Sequence, residues 1–404
     1  MSVTIKNGKA TVCDEQTGEQ IHESSNNPLN AIQKLVCEKP VRNIEFRFTG
    51  GAVGYFSYDA IRYWENLPTK AHDDLNFPDA EFGLFDDGII FDHRQRCAFY
   101  YYSKENRLPE IENVFKQPEN PSGLTYKQLD ANITKGCFEK AVEKTKEYIT
   151  QGDIFQTVLS KRFAFNIRGN LVGFYRSLRE INPSPYMYYL KMGNRQIVGA
   201  SPEMLVRVDN RLVETFPIAG TRQFTGNVTE DRRLGRELLA DPKERAEHVM
   251  LVDLARNDLG RISQYSTVRV TEFMKVHKYS HVQHIVSRVE GKLKAHLESY
   301  DALRAVFPAG TVSGAPKVKA MEIIDELEPT RRGPYAGAVG YFSCNGNMDF
   351  AITIRTLFAD KTKAYIQAGA GIVADSVPEN EWFEIEYKAQ ALIKALQNAE
   401  GDKQ

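Results

Sequence analysis

The chain has 404 residues, of which 42% are hydrophobic and 26% charged, with a formal net charge of −1. That length allows two or three average domains or one large two-lobed one, and the near-neutral balance gives no reason to expect a nucleic-acid or anionic-membrane surface. Five scattered cysteines (Cys13, Cys37, Cys97, Cys137, Cys344) lack metal or disulfide spacing, and with no apolar leader or membrane-length run they predict a cytoplasmic protein.

VTIKNGKATV predicts a hairpin turning at Asn7-Gly8. PLNAIQKLVCE (28–38) has helical spacing, whereas IEFRF, GAVGYFS (51–57), EFGLFDDGIIFDH and CAFYYYS alternate as strands. RLPEIENVFKQPENPSG (107–123) is polar and proline-rich, which predicts a linker or crossing loop. The expected division is an N-terminal lobe over 1–115, a linker over 116–133 and a catalytic region over 134–400. Thr134 can cap a helix to about Gln151. A strand over 154–165, a helix over 171–181 and strands at MYYLKM, IVGAS, MLVRVD and LVETFPI follow. The stretch from about 231 to 307 is predicted mainly helical, and a last helix runs from about Glu379 to Asn398. Strands that cluster without βαβ alternation predict an α+β fold with large, mostly antiparallel sheets. GAVGYFS recurs at 337–343. Two copies are too few for a repeat array, so the identity predicts two strands solving one packing problem, with Gly54 and Gly340 admitting a close neighbour.

Several residue types point toward chemistry. Glu244 and Glu247 stand three apart on one predicted helix, and Glu381 and Glu384 three apart near the start of another. Converging, such pairs could hold Mg²⁺, a hard cation that takes carboxylate oxygens; on spacing alone solvated helix faces are the commoner reading. FPIAGTRQ, FPAGTVSGAPK and QAGAGIVAD read as glycine-rich turns, and the amides of Gly369, Ala370 and Gly371 could face an anion. Arg355 in AITIRTLF reads as an inward-facing strand position that needs an anion or an internal ion pair. Glu203 in GASPEML could act as a general acid or face solvent. His284 taken alone is more often structural, and Gln156 cannot act as a general base.

Taken together, GDIFQTVLSKRF, NPSPYMYYL, GASPEML, FPIAGTR, EHVMLVDLARNDLGRI, FPAGTVSGAPKVKAMEIIDELEPTRRGPYAGAVGYFS, AITIRT and QAGAGIVADSVPENEWFE resemble the chorismate-utilising enzymes. The strong resemblance covers about residues 134–398 in unbroken order and is closest to the anthranilate-forming members. It implies a two-lobed α/β/β/α sandwich with the site between extended sheets. The implied reaction joins ammonia to chorismate and releases anthranilate and pyruvate; the alternative product is aminodeoxychorismate. Mg²⁺ is the implied cofactor, on Glu247 and Glu384 with support from Glu244 and Glu381. Gly220, Thr221 and the Gly369–Gly371 amides are the implied substrate contacts, with Tyr335 and Arg355 on the enolpyruvyl carboxylate. Glu203 matches the acid that protonates the departing C4 hydroxyl, and His284 the histidine of pyruvate loss.

Where water-using relatives carry a lysine this chain has Gln156, and where aminodeoxychorismate-forming relatives commonly read PIKGT it has Ala219 in PIAGT. The first argues against a water nucleophile and the second favours direct ammonia attack at C2, so a glutamine amidotransferase subunit is the implied partner. Pro185, Tyr186 and Met187 match the family's tryptophan-sensing motif, although no LLES-type N-terminal segment accompanies them. TRQFTG also departs from the usual TRPRG and is expected to alter the loop more than the contacts. The second GAVGYFS is expected to line the site, and the first to belong to the other sheet.

Overall fold

The computed structural model describes residues 1–14, 17–36, 46–117, 123–279 and 282–401. Two large antiparallel sheets and a two-stranded one, Asp87–Asp92 with Cys97–Tyr102, carry the described chain. The larger, of twelve strands, runs Ile218–Gln223, Val282–Lys292, Leu212–Thr215, Met204–Asp209, Met348–Ile352, Ala338–Ser343, Gly51–Phe56, Ala80–Phe85, Ser2–Lys6, Lys9–Cys13 and Gln20–Ser24, with Arg269–Lys278 added on Val282–Lys292. The smaller, of seven, runs Tyr186–Met192, Arg195–Ser201, Thr356–Asp360, Lys363–Ile372, Gln156–Arg168 and Gly314–Ala315, with Thr125–Gln128 added on Gln156–Arg168.

Alternation along the strands of the smaller sheet shows how the layers stack. Ile197, Phe358 and Tyr365 join the core of the larger sheet, while their neighbours Val198, Leu357 and Ile366 pack with the helices Lys135–Thr150, Val172–Ile181 and Pro378–Gly401. Successive side chains of a strand point to opposite faces, so this sheet has the other sheet on one side and helices on the other. The helices Pro242–Ile262 and Ser299–Val306 contribute Val252, Leu259 and Leu303 to the core of the larger sheet. The order helix, sheet, sheet, helix is the expected sandwich.

The twin heptapeptides pair with each other. Gly51–Phe56 runs antiparallel to Ala338–Ser343, with Gly54 opposite Gly340, Ala52 opposite Phe342 and Phe56 opposite Ala338. The expectation that the first copy belongs to the other sheet is therefore wrong. A Cβ on Gly54 would lie 2.1 Å from the Glu81 carbonyl oxygen, and one on Gly340 2.0 Å from that of Asp349. Each phenylalanine fills the space beside an alanine across the pair, and Phe56, Phe82, Phe342 and Phe350 form one fully buried aromatic cluster. Burying one such ring contributes roughly 1.5–3 kcal/mol. The repeated letters answer one steric problem from two sides of a local two-fold relation.

Three other expectations need correction. Arg269–Lys278 and Val282–Lys292 are antiparallel strands paired with each other, not helix, and residues 280 and 281 lie outside the described residues. The stretch read as a loop at 107–123 contains a short exposed helix, Leu108–Phe115, and residues 118–122 lie outside the described residues. Residues 46–48 of IEFRF are not in a strand; 37–45, including Cys37, lie outside the described residues. Cys13, Cys97, Cys137 and Cys344 form no disulfide among the described residues. Among the described residues no helix is long and apolar enough to cross a membrane.

Candidate active site

The helix Pro242–Ile262 opens on Asp241, whose carboxylate accepts from the amides of Lys243 (2.9 Å) and Glu244 (3.4 Å). This cap, with Pro242 in the first turn, fixes the end that carries Glu244 and Glu247. Arg222 donates to Glu244 at 3.2 Å. Gln156, at the start of its strand, donates to Glu247 Oε1 at 3.2 Å. Among the described residues Glu247 makes no ion pair. Facing it is the helix Pro378–Gly401, where Glu384 pairs with Lys388 one turn on (2.6 Å) and Lys388 donates to the Gly369 carbonyl (2.9 Å). Burial pushes the Glu247 carboxyl above its ordinary range, and the charges of Glu244 and Glu384 push it further. Burial also raises Glu381, again with Glu384 adding to it. The four acids from two distant helices thus share one electrostatic neighbourhood.

That neighbourhood suits a hard divalent cation. Crowded carboxylates with no cation on Glu247 are relieved by added positive charge, and oxygen is the donor Mg²⁺ prefers. Among the described residues no three acidic, histidine or cysteine side chains already converge on one point. An ion here would take few protein oxygens directly and complete its shell with water and substrate, as Mg²⁺ commonly does.

Gly369, Ala370 and Gly371 lie inside the strand Lys363–Ile372 rather than in the expected turn, opposite Ser160, Leu159 and Val158. The strand on the other side stops pairing at Ile366, so the edge beyond it has no strand partner. A Cβ on Gly371 would meet Gln156 Nε2 at 2.6 Å, and one on Gly369 the Tyr335 hydroxyl at 2.8 Å. The glycines therefore let Gln156 and Tyr335 approach the open backbone.

Arg355 is not in a strand, as the sequence suggested. It sits between Met348–Ile352 and Thr356–Asp360 with φ +51°, a left-handed conformation unusual for arginine. Its carbonyl accepts from the Ala200 amide at 3.1 Å, whereas among the described residues its guanidinium has neither a hydrogen bond nor a carboxylate partner. Burial without a counter-ion pulls its pKa down, and Tyr387 and Tyr335 oppose that pull. Tyr335 is itself buried and precedes Ala336, which has φ +60°.

His284 stands on Val282–Lys292, and its Nδ1–H donates to the Gly220 carbonyl at 2.8 Å, with the Thr221 hydroxyl at 3.1 Å. A carbonyl can only accept, so the proton is on Nδ1 and the neutral ring keeps Nε2 free as a base. Burial, helped by the Arg355 charge, holds the imidazole pKa below its ordinary value; the Gly220 bond opposes this. Gly220 has φ +65°, and a Cβ there would meet Glu244 Oε2 at 2.8 Å. Gly220→Ala should therefore destabilise the fold by about 1–2 kcal/mol and displace the Glu244 carboxylate, read as a lower Tm together with a raised KM.

Glu203 occupies the turn between Arg195–Ser201 and Met204–Asp209, and Thr311 donates to its Oε1 at 2.9 Å. Burial pushes this carboxyl up to about 8, against the opposing bond from Thr311. At neutral pH it carries a proton. The Tyr279 ring lies 5.4 Å from that of His284, and its hydroxyl is raised by burial and by the Glu203 charge.

Pairwise contacts and charge interactions thus run from Gly220 to Glu244, His284 and Thr221, from His284 to Arg355 and on to Tyr335, and from Tyr335 to Gly369. They run also through Gln156 from Gly371 to Glu247 and on to Glu384 and Glu381, with Glu203 reached through the charge it exerts on Tyr279. Ala370 has its side chain in the helix-side core. Pro185, Tyr186 and Met187 lie elsewhere: the Tyr186 hydroxyl donates to Asp349 (2.9 Å) and Met187 packs on the helix-side core. Sequence reasoning missed Lys388, Thr311 and Tyr279. A glutamate followed four residues later by lysine reads as a surface pair, and Tyr279 lay in a stretch taken for helix.

The chain matches the family described as chorismate binding enzyme over residues 3–394. It is 53% identical, over 87% of this chain and 75% of the relative, to anthranilate synthase component 1 of Methanothermobacter thermautotrophicus. It is also 43% identical to aminodeoxychorismate synthase component 1 of Bacillus subtilis, over 98% of this chain and 88% of that one. The crystal structure of anthranilate synthase component I from Streptococcus pneumoniae superposes with a TM-score of 0.87 at 40% identity, over 97% of this chain and 89% of that one.

Proposed function

The chain belongs to the chorismate binding enzymes, and from that membership we propose that it works as the chorismate-converting component of an anthranilate synthase, with Mg²⁺ as its ion and ammonia as its second substrate. The observation that carries the reading is a buried guanidinium with no described carboxylate partner, together with the buried Glu203 carboxyl held by Thr311 and His284 held by the Gly220 carbonyl.

The residues divide the work by their chemistry. Arg355, with Tyr335, takes the enolpyruvyl carboxylate, giving the guanidinium the anion it otherwise lacks. Glu247 and Glu384, backed by Glu244 and Glu381, would hold the ion. When bound, it would supply positive charge to neutralise the substrate's ring carboxylate. Glu203 delivers its proton to the C4 hydroxyl, so water departs while ammonia adds at C2. His284 Nε2 is free to take the proton that C2 gives up as pyruvate is lost and the ring becomes aromatic. Gln156, being neutral, holds Glu247 and activates no water.

Ammonia needs a source, and relatives named component 1 support a second component; a glutamine amidotransferase fits that need. Purified chain given chorismate, Mg²⁺ and an ammonium salt should form anthranilate and pyruvate in equal amounts, seen by fluorescence and mass. Accumulation of 4-amino-4-deoxychorismate would move the chain to the other branch, and no turnover would leave it a silent subunit. Ala219 is buried on Ile218–Gln223, two residues before Thr221. Ala219→Lys places an amine where only a methyl fits and should abolish anthranilate output; an unchanged rate would remove this position from product choice.

A further inference from the structure

We propose that Thr311 is the positioning residue for the acid of this site, its hydroxyl selecting which oxygen of Glu203 carries the proton. The proposal rests on the function given above. Thr311 Oγ1 donates to Glu203 Oε1 at 2.9 Å, and it is the one described side chain that bonds this carboxyl. In a protonated carboxyl the carbonyl oxygen is the better acceptor, so a hydroxyl donated to Oε1 favours the proton on Oε2. Packing alone would not fix that choice. The carboxyl borders a cavity of about 50 Å³, room for a water, lined also by Phe216, Leu254, Asp258 and Thr311.

The turn Gly310–Val312 that carries the hydroxyl is held from every side. Arg332, buried and paired with Glu328 (2.7 Å), donates to the Val312 carbonyl at 2.7 Å. The Ser313 carbonyl accepts from the Val158 amide (2.9 Å) and the Thr157 hydroxyl (3.1 Å). A Cβ on Gly310 would fall 2.1 Å from Leu254 Cδ2, so the turn already abuts the 242–262 helix. A hydroxyl on such a support aims rather than follows. In the step it serves, the ammonia lone pair forms the C2–N bond, the two ring double bonds shift, and the C4–O bond breaks. The Oε2 proton leaves with that oxygen as water, and the new ammonium group releases the balancing proton.

The titratable groups around Glu203 are Tyr279 and, across the cavity, Asp258, which Lys317 holds at 2.9 Å. The test compares Thr311→Val, Thr311→Ala and Thr311→Ser, with free ammonia held constant at each pH. Val and Ala should lower kcat about tenfold, the worth of one hydrogen bond, with KM within about twofold. Loss of the donated bond should move the alkaline limb of kcat to higher pH, and Ser should restore both. In a Glu203→Gln background Thr311→Val should add no further loss. A limb that stays in place, or a second full loss in that background, overturns the proposal. The carboxyl titration of Glu203, followed by ¹³C NMR and assigned by its absence in Glu203→Gln, needs no turnover. It should shift upward in Thr311→Val; no shift overturns the proposal even if the chain acts on another substrate.

Discussion

Glu203→Gln should lower kcat by about 10²–10⁴-fold, the range for removing a positioned general acid, with KM for chorismate nearly unchanged. Glutamine has the same shape and can still accept from Thr311, so the loss reports the missing proton rather than a disturbed turn. In the wild type, activity should fall as pH rises through about 8, where burial has placed the ionisation of this carboxyl. Free ammonia must be held constant, because its own titration would mask that limb. The same shift has a consequence for stability. A carboxyl whose folded pKa is raised binds its proton more tightly in the folded state, so the wild type loses stability between the ordinary glutamate range and about 8. Glu203→Gln should accordingly raise Tm most at about pH 9 and little at about pH 5. A variant slow only through a higher KM, or less stable at alkaline pH, would contradict this role.

Arg355→Ala should reduce kcat/KM by on the order of 10²–10³-fold, the scale of losing one partner of a buried charge pair. Without ligand the guanidinium is buried with no described counter-ion and held in a left-handed backbone conformation. Both features burden the free protein and have a purpose only once a carboxylate arrives. The substitution should therefore raise Tm while it lowers activity, an exchange expected of residues kept for function. Arg355→Lys keeps the charge but not the planar fork, and should recover only part of the loss. A drop in both Tm and activity would instead mark Arg355 as structural.

Much of this site was legible in the sequence because its parts lie in short local patterns. The three-residue steps Glu244–Glu247 and Glu381–Glu384 require only helix, and Asp241-Pro242 and Pro378 mark where the helices begin. That the two pairs face each other is a tertiary fact that spacing does not contain. The paired strands Arg269–Lys278 and Val282–Lys292 were missed although β-branched Val270, Thr271, Val276, Val282, Ile285, Val286 and Val289 are dense in them. The first of them, charged and partly exposed, follows directly on a helix and shares its polarity. The backbone of Arg355 was hidden for a different reason: an arginine at positive φ contradicts local preference, and such departures gather where function holds them. The pairing of the two GAVGYFS strands could not be seen, since identical strands may lie side by side or in separate sheets.

The central claim is that carboxylates from two distant helices serve one ion that holds the substrate. Calorimetric titration of Mg²⁺ into the chain, with chorismate present and ammonia absent, tests it most directly. The account predicts one ion per chain in the wild type, and at least tenfold weaker binding, about 1.4 kcal/mol, in each of Glu247→Gln and Glu384→Gln. Wild-type affinity in either variant would contradict it.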